Sequence, residues 1–498
     1  MAVRTDKSAA GERPKEFLNL KLRDYVWPLA FMLSATMVGL KFPPGYLLLL
    51  IVMVNRFVKD KYDFIIQLTY FIGGYQLLHQ TDLYIPLDKI VFVVSTIMIA
   101  LYRQNAVMKK TCGIIVAYAI CLLIFAMLSE ESLKIQFTGI LTWLSFVVFI
   151  IPLAVFSGME FDIKVFFRKL FPYLFIYCAY YIIDGIILGG HIFMPRDASA
   201  FFYGIKPTFL NFSISPFAFI RIWPQGLYSF ILCIYPAVKM FRLTKLEWAL
   251  IIVALLVSRT FLFMIGVLLT ALLLQGNFKK ILKYAGIGII AVTILYFVDT
   301  KETFVNDEGE AQTALRIRSS IDQFIALAEM EDEEDLAKFG TTRMAQIIPK
   351  WLLLYDLNRQ WIGFGFLSRE NTKMSKYIII NELYNNPDDA EEVATGVEVV
   401  PIQVILTIGY IGLAVHILFL IGLWLIVRRL RYATYFLSVM FTFCVIGLSG
   451  LSGMTYFHGL YMSALAYGAV ILASRKQLGG FSLPQVNRSL CAGIATAE

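Results

Sequence analysis

The chain lacks the marks by which many soluble enzymes are recognised. It has no Cys-x-x-C pair: Cys112, Cys121, Cys178, Cys233 and Cys444 lie in apolar stretches and Cys491 in the tail, so neither a disulfide framework nor a thiolate metal site is expected. It has no Walker-type glycine-rich loop, which removes nucleotide binding of that kind. There is no internal repeat and no low-complexity tract. No cleavable leader is read at the start, where Arg4, Lys7, Arg13 and Lys15 mix with Asp6, Glu12 and Glu16, so the first apolar helix is expected to insert the chain by itself. Nucleic acid is not an expected partner. The net charge is +8 and the pI near 9.0, but the basic residues are spread between apolar stretches instead of gathering on one domain.

What the chain has in quantity is apolar sequence. Its 498 residues are 58% hydrophobic and 15% aromatic, with a mean hydropathy of +0.70; soluble domains use roughly 45–50% apolar residues. Runs long enough to read as spans fall at Tyr25 to Leu40, Tyr46 to Val58, Phe64 to Leu78, Ile85 to Leu101, Cys112 to Leu128, Ile135 to Phe156 and Leu170 to Leu188. Others follow at Leu227 to Phe241, Trp248 to Val257, Phe261 to Leu274, Tyr284 to Val298, Val400 to Val427, Tyr432 to Leu448 and Tyr456 to Ala473. This predicts an all-α, polytopic membrane protein with about fourteen transmembrane helices.

Lys and Arg occupy every second connection, for example Arg56, Lys59 and Lys61; Lys164, Arg168 and Lys169; Lys279, Lys280 and Lys283; and Arg428, Arg429 and Arg431. By the positive-inside rule these connections and both termini face the cytoplasm. Four parts result: an N-terminal membrane domain at 1–298 with about eleven helices, an external loop at 299–399, C-terminal membrane helices at 400–474 and a cytoplasmic tail at 475–498. Trp248 to Leu274 has basic flanks at both ends, so it crosses an even number of times, as a short hairpin tipped by Ser258-Arg259-Thr260. An arginine in lipid costs roughly 2.5–3.5 kcal/mol, so Arg259 is expected to face water or an anion.

The loop from Asp299 to Val399 is the long polar segment. It holds 20 Asp and Glu against 10 Lys and Arg, so it is net −10 and the rest of the chain +18. Ile317, Ile321, Phe324, Ile325 and Ala328 recur at helical spacing, as do Met344, Ile347, Ile348, Trp351, Leu352 and Tyr355. Two amphipathic helices are therefore predicted, folded as a lid over the external face. The acidic runs at 331–335 and 387–389 read as solvated faces or weak cation sites.

Arg221, Arg259, Arg343, Arg316 and Arg318 are expected near this outer surface, with Glu398 where the loop meets the next helix. Guanidinium groups present a planar fork to phosphate oxygens. They stabilise the negative charge on a departing diphosphate without a metal, and a neighbouring carboxylate can deprotonate an attacking hydroxyl. ATP is absent outside a cell membrane, so the phosphate expected there belongs to a lipid. Together these parts describe sugar transfer from a lipid diphosphate. Arg316 and Arg318 lie opposite the apolar stripe of their helix, as surface charges do. Asp184, inside a span, is either functional or a partner of Arg196 or His191. His416 and His458 read as packed or interfacial, and sugar stacking on the abundant Tyr and Trp is not separable from interface belts by sequence.

Three patches resemble the O-antigen polymerase and O-antigen ligase superfamily of bacterial inner-membrane glycosyltransferases. The first is Ser258-Arg259-Thr260. The second is Arg343, Trp351 and Ile362-Gly363-Phe364-Gly365-Phe366. The third is Val397-Glu398 with Gln403 and Ile408-Gly409-Tyr410-Ile411-Gly412. The resemblance implies a GT-C-like fold with a large helical periplasmic loop and an active site facing the periplasm. It implies an undecaprenyl diphosphate-linked oligosaccharide donor and a metal- and cofactor-independent inverting transfer. The acceptor it implies is another lipid-linked unit or lipid A-core, with membrane lipids and a chain-length regulator as further partners. On this reading Glu398 is the catalytic base, Arg221, Arg259 and Arg343 hold the diphosphate, and Asp184, Arg316 and Arg318 are further candidates. Ligases of the family carry a His where this chain has Glu398, a departure that favours a polymerase and leaves the ligase open. A lipid-glycan flippase is the rival from another class; the concentration of charge at the outer end and the large external loop favour the enzyme.

Overall fold

The computed structural model describes residues 15–39, 43–73, 87–102, 106–129, 132–183, 208–209, 212–213, 223–257, 302–305, 311–313, 351, 354–366, 400–449 and 456–478. These are mostly helical. In chain order the helices are α1 (Leu22–Gly39), α2 (Pro43–Lys59), α3 (Lys61–Gly73), α4 (Leu87–Tyr102), α5 (Ala106–Met127), α6 (Leu133–Trp143), α7 (Ile150–Val155), α8 (Ile163–Ile182), α9 (Trp223–Lys239), α10 (Lys245–Val257), α11 (Val400–Val427), α12 (Ala433–Ser449) and α13 (Tyr456–Ala473). The all-helical expectation needs one amendment, because short strand pairs occur in the connections. β1 (Glu16–Phe17) runs parallel to β4 (Phe241–Arg242), while β2 (Thr208–Phe209) with β3 (Phe212–Ser213), and β5 (Glu302–Val305) with β6 (Ala311–Thr313), are antiparallel. Connecting backbone must also pair its N–H and C=O groups, and ladders a few residues long do this locally.

Several helices begin before their apolar runs. α5 starts at Ala106 and takes in Lys109 and Lys110; α8 starts at Ile163 and takes in Lys164, Arg168 and Lys169. Lysine and arginine are good helix formers, so the hydrogen-bonded ladder continues past the end of the apolar sequence. Specific side chains fix the starts. Asp162 accepts from the Lys164 N–H at the head of α8. Thr244 and Glu247 form a reciprocal capping box on α10, with Glu247 Oε2 accepting from Thr244 N–H and Thr244 Oγ1 from Glu247 N–H.

Among the described residues three helical stretches, Ala106–Met127, Leu133–Val155 and Pro401–Val427, are long and apolar enough to cross a membrane. The expected spans from Phe261 to Leu274 and from Tyr284 to Val298 lie outside the described residues. Surface composition agrees with lipid contact. Along α2, Leu47, Leu50, Ile51, Val54 and Val58 are all exposed, and α5 exposes Val116, Ile120, Leu123, Ile124 and Met127. Spacings of three and four put each set on one outward face, and such continuous apolar stripes on the outside belong against lipid or another protein.

The interior is aromatic with polar handles. α13 packs on α12, on α7 and on a 3-10 turn at Ser145–Phe149 that divides the run expected as a single span from Ile135 to Phe156. On α13, Tyr467 is ringed by Phe146, Phe149 and Phe436 at centroid distances of 5.3, 5.4 and 5.2 Å, and its hydroxyl lies 2.6 Å from Thr111 Oγ1. Tyr70 and Ser229 pair likewise at 2.7 Å. His416 is buried with Nδ1 3.2 Å from the Tyr118 hydroxyl, in keeping with a packed histidine.

A charged cluster ties α2, α3 and α8 together at one end. Asp60 caps α3 through the N–H groups of Tyr62 and Asp63. Lys169 reaches both Asp60 (2.7 Å) and Asp63 (3.2 Å), while Arg56 stands 3.9 Å from Asp63 and 3.7 Å over the Trp27 ring. Asp63 immediately precedes the apolar run that opens at Phe64. Burial pushes its carboxyl up to about 6, against the pull of Lys169. At Asp60 burial also pushes upward, but the Lys169 ammonium and the two capped amides outweigh it and hold the group below the usual range. Asp63 binds its proton more tightly folded than unfolded, so its contribution to stability is complete below its ordinary value of 3.8 and is lost as pH rises through about 6. Asp63→Asn escapes that loss. The melting temperature of the variant minus that of wild type, measured in detergent, should therefore rise between about pH 4 and pH 7; a flat difference would show that Asp63 does not titrate in this range. Lys169→Met should destabilise at neutral pH by on the order of 2 kcal/mol, short of the 3–5 of a fully buried pair because the site is partly open.

Candidate functional site

The described part of the 299–399 loop ends in a segment that splices into α11, a helix of membrane-spanning length. Residues 354–356 are helical, and the turn closes with Asn358 at φ 53°, Arg359 N–H donating to Leu354 O (2.8 Å) and Asn358 N–H to Tyr355 O (2.9 Å). This is a Schellman termination with asparagine in the left-handed position. A second turn follows, with the N–H groups of Ile362 and Gly363 donating to Arg359 O at 3.2 and 2.7 Å, and the chain passes through Ile362-Gly363-Phe364-Gly365-Phe366 with Gly363 and Gly365 at φ 72° and 80°.

Opposite it, α11 is broken at Gly409, whose φ of 69° and ψ of −173° are open to glycine and costly for other residues. In an unbroken helix the carbonyls of Leu406 and Thr407 would accept from the N–H groups of Tyr410 and Ile411. Here all four groups turn to the loop segment. Phe364 N–H donates to Leu406 O and Gly365 N–H to Thr407 O, both at 2.8 Å; Tyr410 N–H donates to Gln360 O at 2.9 Å and Ile411 N–H to Trp361 O at 3.2 Å. The helix break is thus repaired by another part of the chain, which is how non-helical backbone is tolerated in apolar surroundings. The approach is close on both sides. A Cβ on Gly363 would meet the Thr407 carbonyl at 2.5 Å, and one on Gly409 would collide with the Trp361–Ile362 backbone.

The other edge of the segment is held by α5 and α6. Gln136, 1% exposed, uses its amide as a backbone surrogate, donating to Phe366 O (2.7 Å) and accepting from Phe366 N–H (3.0 Å). Ser129 Oγ donates to Phe364 O at 2.7 Å, and Arg359 Nη1 donates to Leu128 O at 2.9 Å, just beyond the C-terminus of α5. The Phe366 ring stands edge-on to Trp143 at 5.3 Å.

Over this seam lie four aromatic side chains from three stretches of sequence. Trp351 is 5.9 Å from Tyr355 and 6.3 Å from Tyr410, and Trp361 is 5.8 Å from Tyr410, ring to ring. The hydroxyls of Tyr355 and Tyr410 are 2.9 Å apart. Tyr355 is 45% and Trp361 59% exposed, so the cluster is rigidly mounted and open on one side. Gln360, next to it in the chain, carries a buried amide oxygen with no hydrogen-bond partner among the described residues.

The residues singled out for chemistry, Asp184, Arg221, Arg259, Arg316, Arg318, Arg343 and Glu398, lie outside the described residues. Two of the three patches behind the resemblance are described in large part, and the structure joins them: the Gly-x-Gly stretch at 363–365 is the segment that pairs with the break in Ile408-Gly409-Tyr410-Ile411-Gly412. Glu398 stands two residues before the first residue of α11. Sequence reasoning missed Gln136, Ser129 and Arg359. A signal existed for Gln136, an amide inside an otherwise apolar run, since such groups need an internal partner; Ser129 and Arg359 gave none. Among the described residues no group of three or more His, Cys, Asp or Glu gathers to hold a metal ion.

The class these observations define is a mostly helical protein with helices of membrane-spanning length and a loop segment built into one of them. No protein-family model matches the chain, and no curated protein is significantly similar to it.

The seam makes a prediction about its glycines. Gly409→Ala and Gly363→Ala each force a β-carbon into facing backbone at positive φ, and should each cost on the order of 3 kcal/mol or more. Gly113 on α5 has nothing within 4 Å of an added Cβ, so Gly113→Ala should be neutral or stabilising by up to about 1 kcal/mol. Fluorescence-detected size-exclusion thermal melts of the three variants check this; equal melting of all three would contradict the described seam.

Proposed function

We propose that this chain is a polytopic bacterial inner-membrane glycosyltransferase that extends a lipid-linked glycan at the periplasmic face. The observation that carries the reading is the four-bond main-chain pairing of 360–365 with 406–411. It unites, around the break in the helix that follows Glu398 in the sequence, two motif patches that the resemblance to the O-antigen polymerase and ligase superfamily picks out separately. A transferase acting on a lipid diphosphate at a membrane surface needs its loop held in register with its membrane helices, and a main-chain seam between loop and helix supports that reading.

In the proposed reaction the Glu398 carboxylate takes the proton from an acceptor hydroxyl. The hydroxyl oxygen forms the new bond to the anomeric carbon as the bond from that carbon to the diphosphate oxygen breaks, with inversion. Undecaprenyl diphosphate leaves with the electron pair, and Arg259 and Arg221, with Arg343 on the loop, stabilise its charge. The acceptor is the hydroxyl of another lipid-linked repeat unit, and the product is a longer lipid-linked glycan.

The test is purified protein incubated with an undecaprenyl diphosphate-linked oligosaccharide and resolved by gel. Wild type should give a ladder of increasing length. Glu398→Gln and Arg259→Ala should each lower the rate by roughly a hundredfold or more. A product formed only with a lipid A-core acceptor would make the chain a ligase. No transfer to either acceptor, with passage of the lipid-linked glycan across liposome membranes, would replace the transferase by a flippase.

A further inference from the structure

We propose that Trp351, Tyr355, Trp361 and Tyr410 form a glycan-binding subsite that holds a sugar unit distant from the reacting bond. The proposal rests on the transferase reading for the identity of its ligand, but the observations are those of the aromatic cluster itself.

A pyranose ring offers an apolar C–H face and a rim of hydroxyls. Its binding site therefore needs an exposed aromatic face, because the negative face of the ring's quadrupole attracts the weakly positive C–H groups, and hydrogen-bonding groups at the edge of that face. The cluster has both. Trp361 is 59% exposed and Tyr355 45%. The two tyrosine hydroxyls bond to each other at 2.9 Å, which uses one O–H donor and leaves the second O–H and further lone pairs for a ligand.

Geometry separates this arrangement from an interfacial anchor. Interfacial aromatics form belts at headgroup level, where each ring reaches the headgroups without needing to touch another. These four come from three stretches of chain and converge with centroids 5.8–6.3 Å apart. Trp361 and Tyr410 are further locked by the main-chain bonds of their own residues, Ile411 N–H to Trp361 O and Tyr410 N–H to Gln360 O. Rigid rings lose little entropy on binding, so the mounting favours a ligand that must be oriented.

The position sets the role. A membrane core takes about 20 helical residues. Counted back from Val427, the last residue of α11, this places the break at Gly409 near the outer edge of the core. From Val400 to Ile408, the part of α11 before the break, the helix rises about 12 Å, a few sugar units, and Glu398 precedes Val400 by two residues in the sequence. The cluster therefore grips the glycan at a distance from the bond being made, which governs substrate length and affinity more than the chemical step.

The test combines binding with kinetics on purified protein in nanodiscs. The probes are neutral pyranose oligosaccharides of three to six units released by mild acid from undecaprenyl diphosphate-linked glycan, titrated by calorimetry. Wild type should bind; Trp361→Ala and Tyr410→Ala should each weaken binding about tenfold, and Trp361→Phe by much less, since it keeps an aromatic face. In the polymerisation assay Trp361→Ala should raise KM about tenfold with a much smaller change in kcat. Glu398→Gln should bind like wild type while failing to polymerise. If wild type binds, the alanine variants do not, and no polymer forms in any assay, the subsite stands and the transferase reading falls. If wild type polymerises and Trp361→Ala matches it in KM and binding, the subsite falls alone. Quenching of Trp361 by lipids brominated near the headgroup, with no response to oligosaccharide, would assign the cluster to the bilayer interface and overturn the proposal.

Discussion

A break in a helix surrounded by apolar side chains frees backbone groups that no water is at hand to satisfy, and the seam at Gly409 is the answer to that constraint. Four main-chain bonds replace the two that the turn around Gly409 gives up, and they are made by residues that precede the helix by some forty positions in the chain. An unpaired buried amide costs several kcal/mol, so the loop segment and α11 are energetically one unit. The same economy appears on the far edge, where the Gln136 amide stands in for a strand and pairs both groups of Phe366.

This arrangement determines what kind of site the protein can present. Side chains on a free loop wander, whereas Trp361 and Tyr410 are mounted on backbone that is itself hydrogen-bonded to a membrane-length helix. A loop joined to that helix by backbone, and not by a few exchangeable side chains, holds its aromatic side chains in register with α11. The supporting shell also reaches α5 and α6 through Ser129, Gln136 and Arg359, so the site is tied to helices on both of its sides.

Elsewhere the interior follows the logic of a protein whose helices share an apolar environment. Lipid solvates leucine as well as a protein core does, so interhelical contacts depend on close packing and on polar pairs. Tyr467 with Thr111, Tyr70 with Ser229 and the cluster of Arg56, Asp60, Asp63 and Lys169 are of this kind. Apolar stripes such as that on α2 face outward, the reverse of a soluble domain.

Much of the helical framework was legible in the sequence because lipid-facing helices must be apolar over their length: the starts and ends of α11, α12 and α13 lie within a residue or so of the hydrophobic runs that predict them. Charged residues blur such limits, which is why α5 and α8 begin earlier than their apolar cores. By itself the sequence determined apolar helices, an acidic loop and the glycine pairs at 363–365 and 409–412, since each follows from composition or from a residue's own conformational range. Tertiary structure decided that those glycines face one another, that Gln136 is a partner for backbone, and that four scattered aromatics make one surface. These are contacts between residues far apart in the chain, and neither periodicity nor charge along the sequence encodes which distant backbone will satisfy a broken helix.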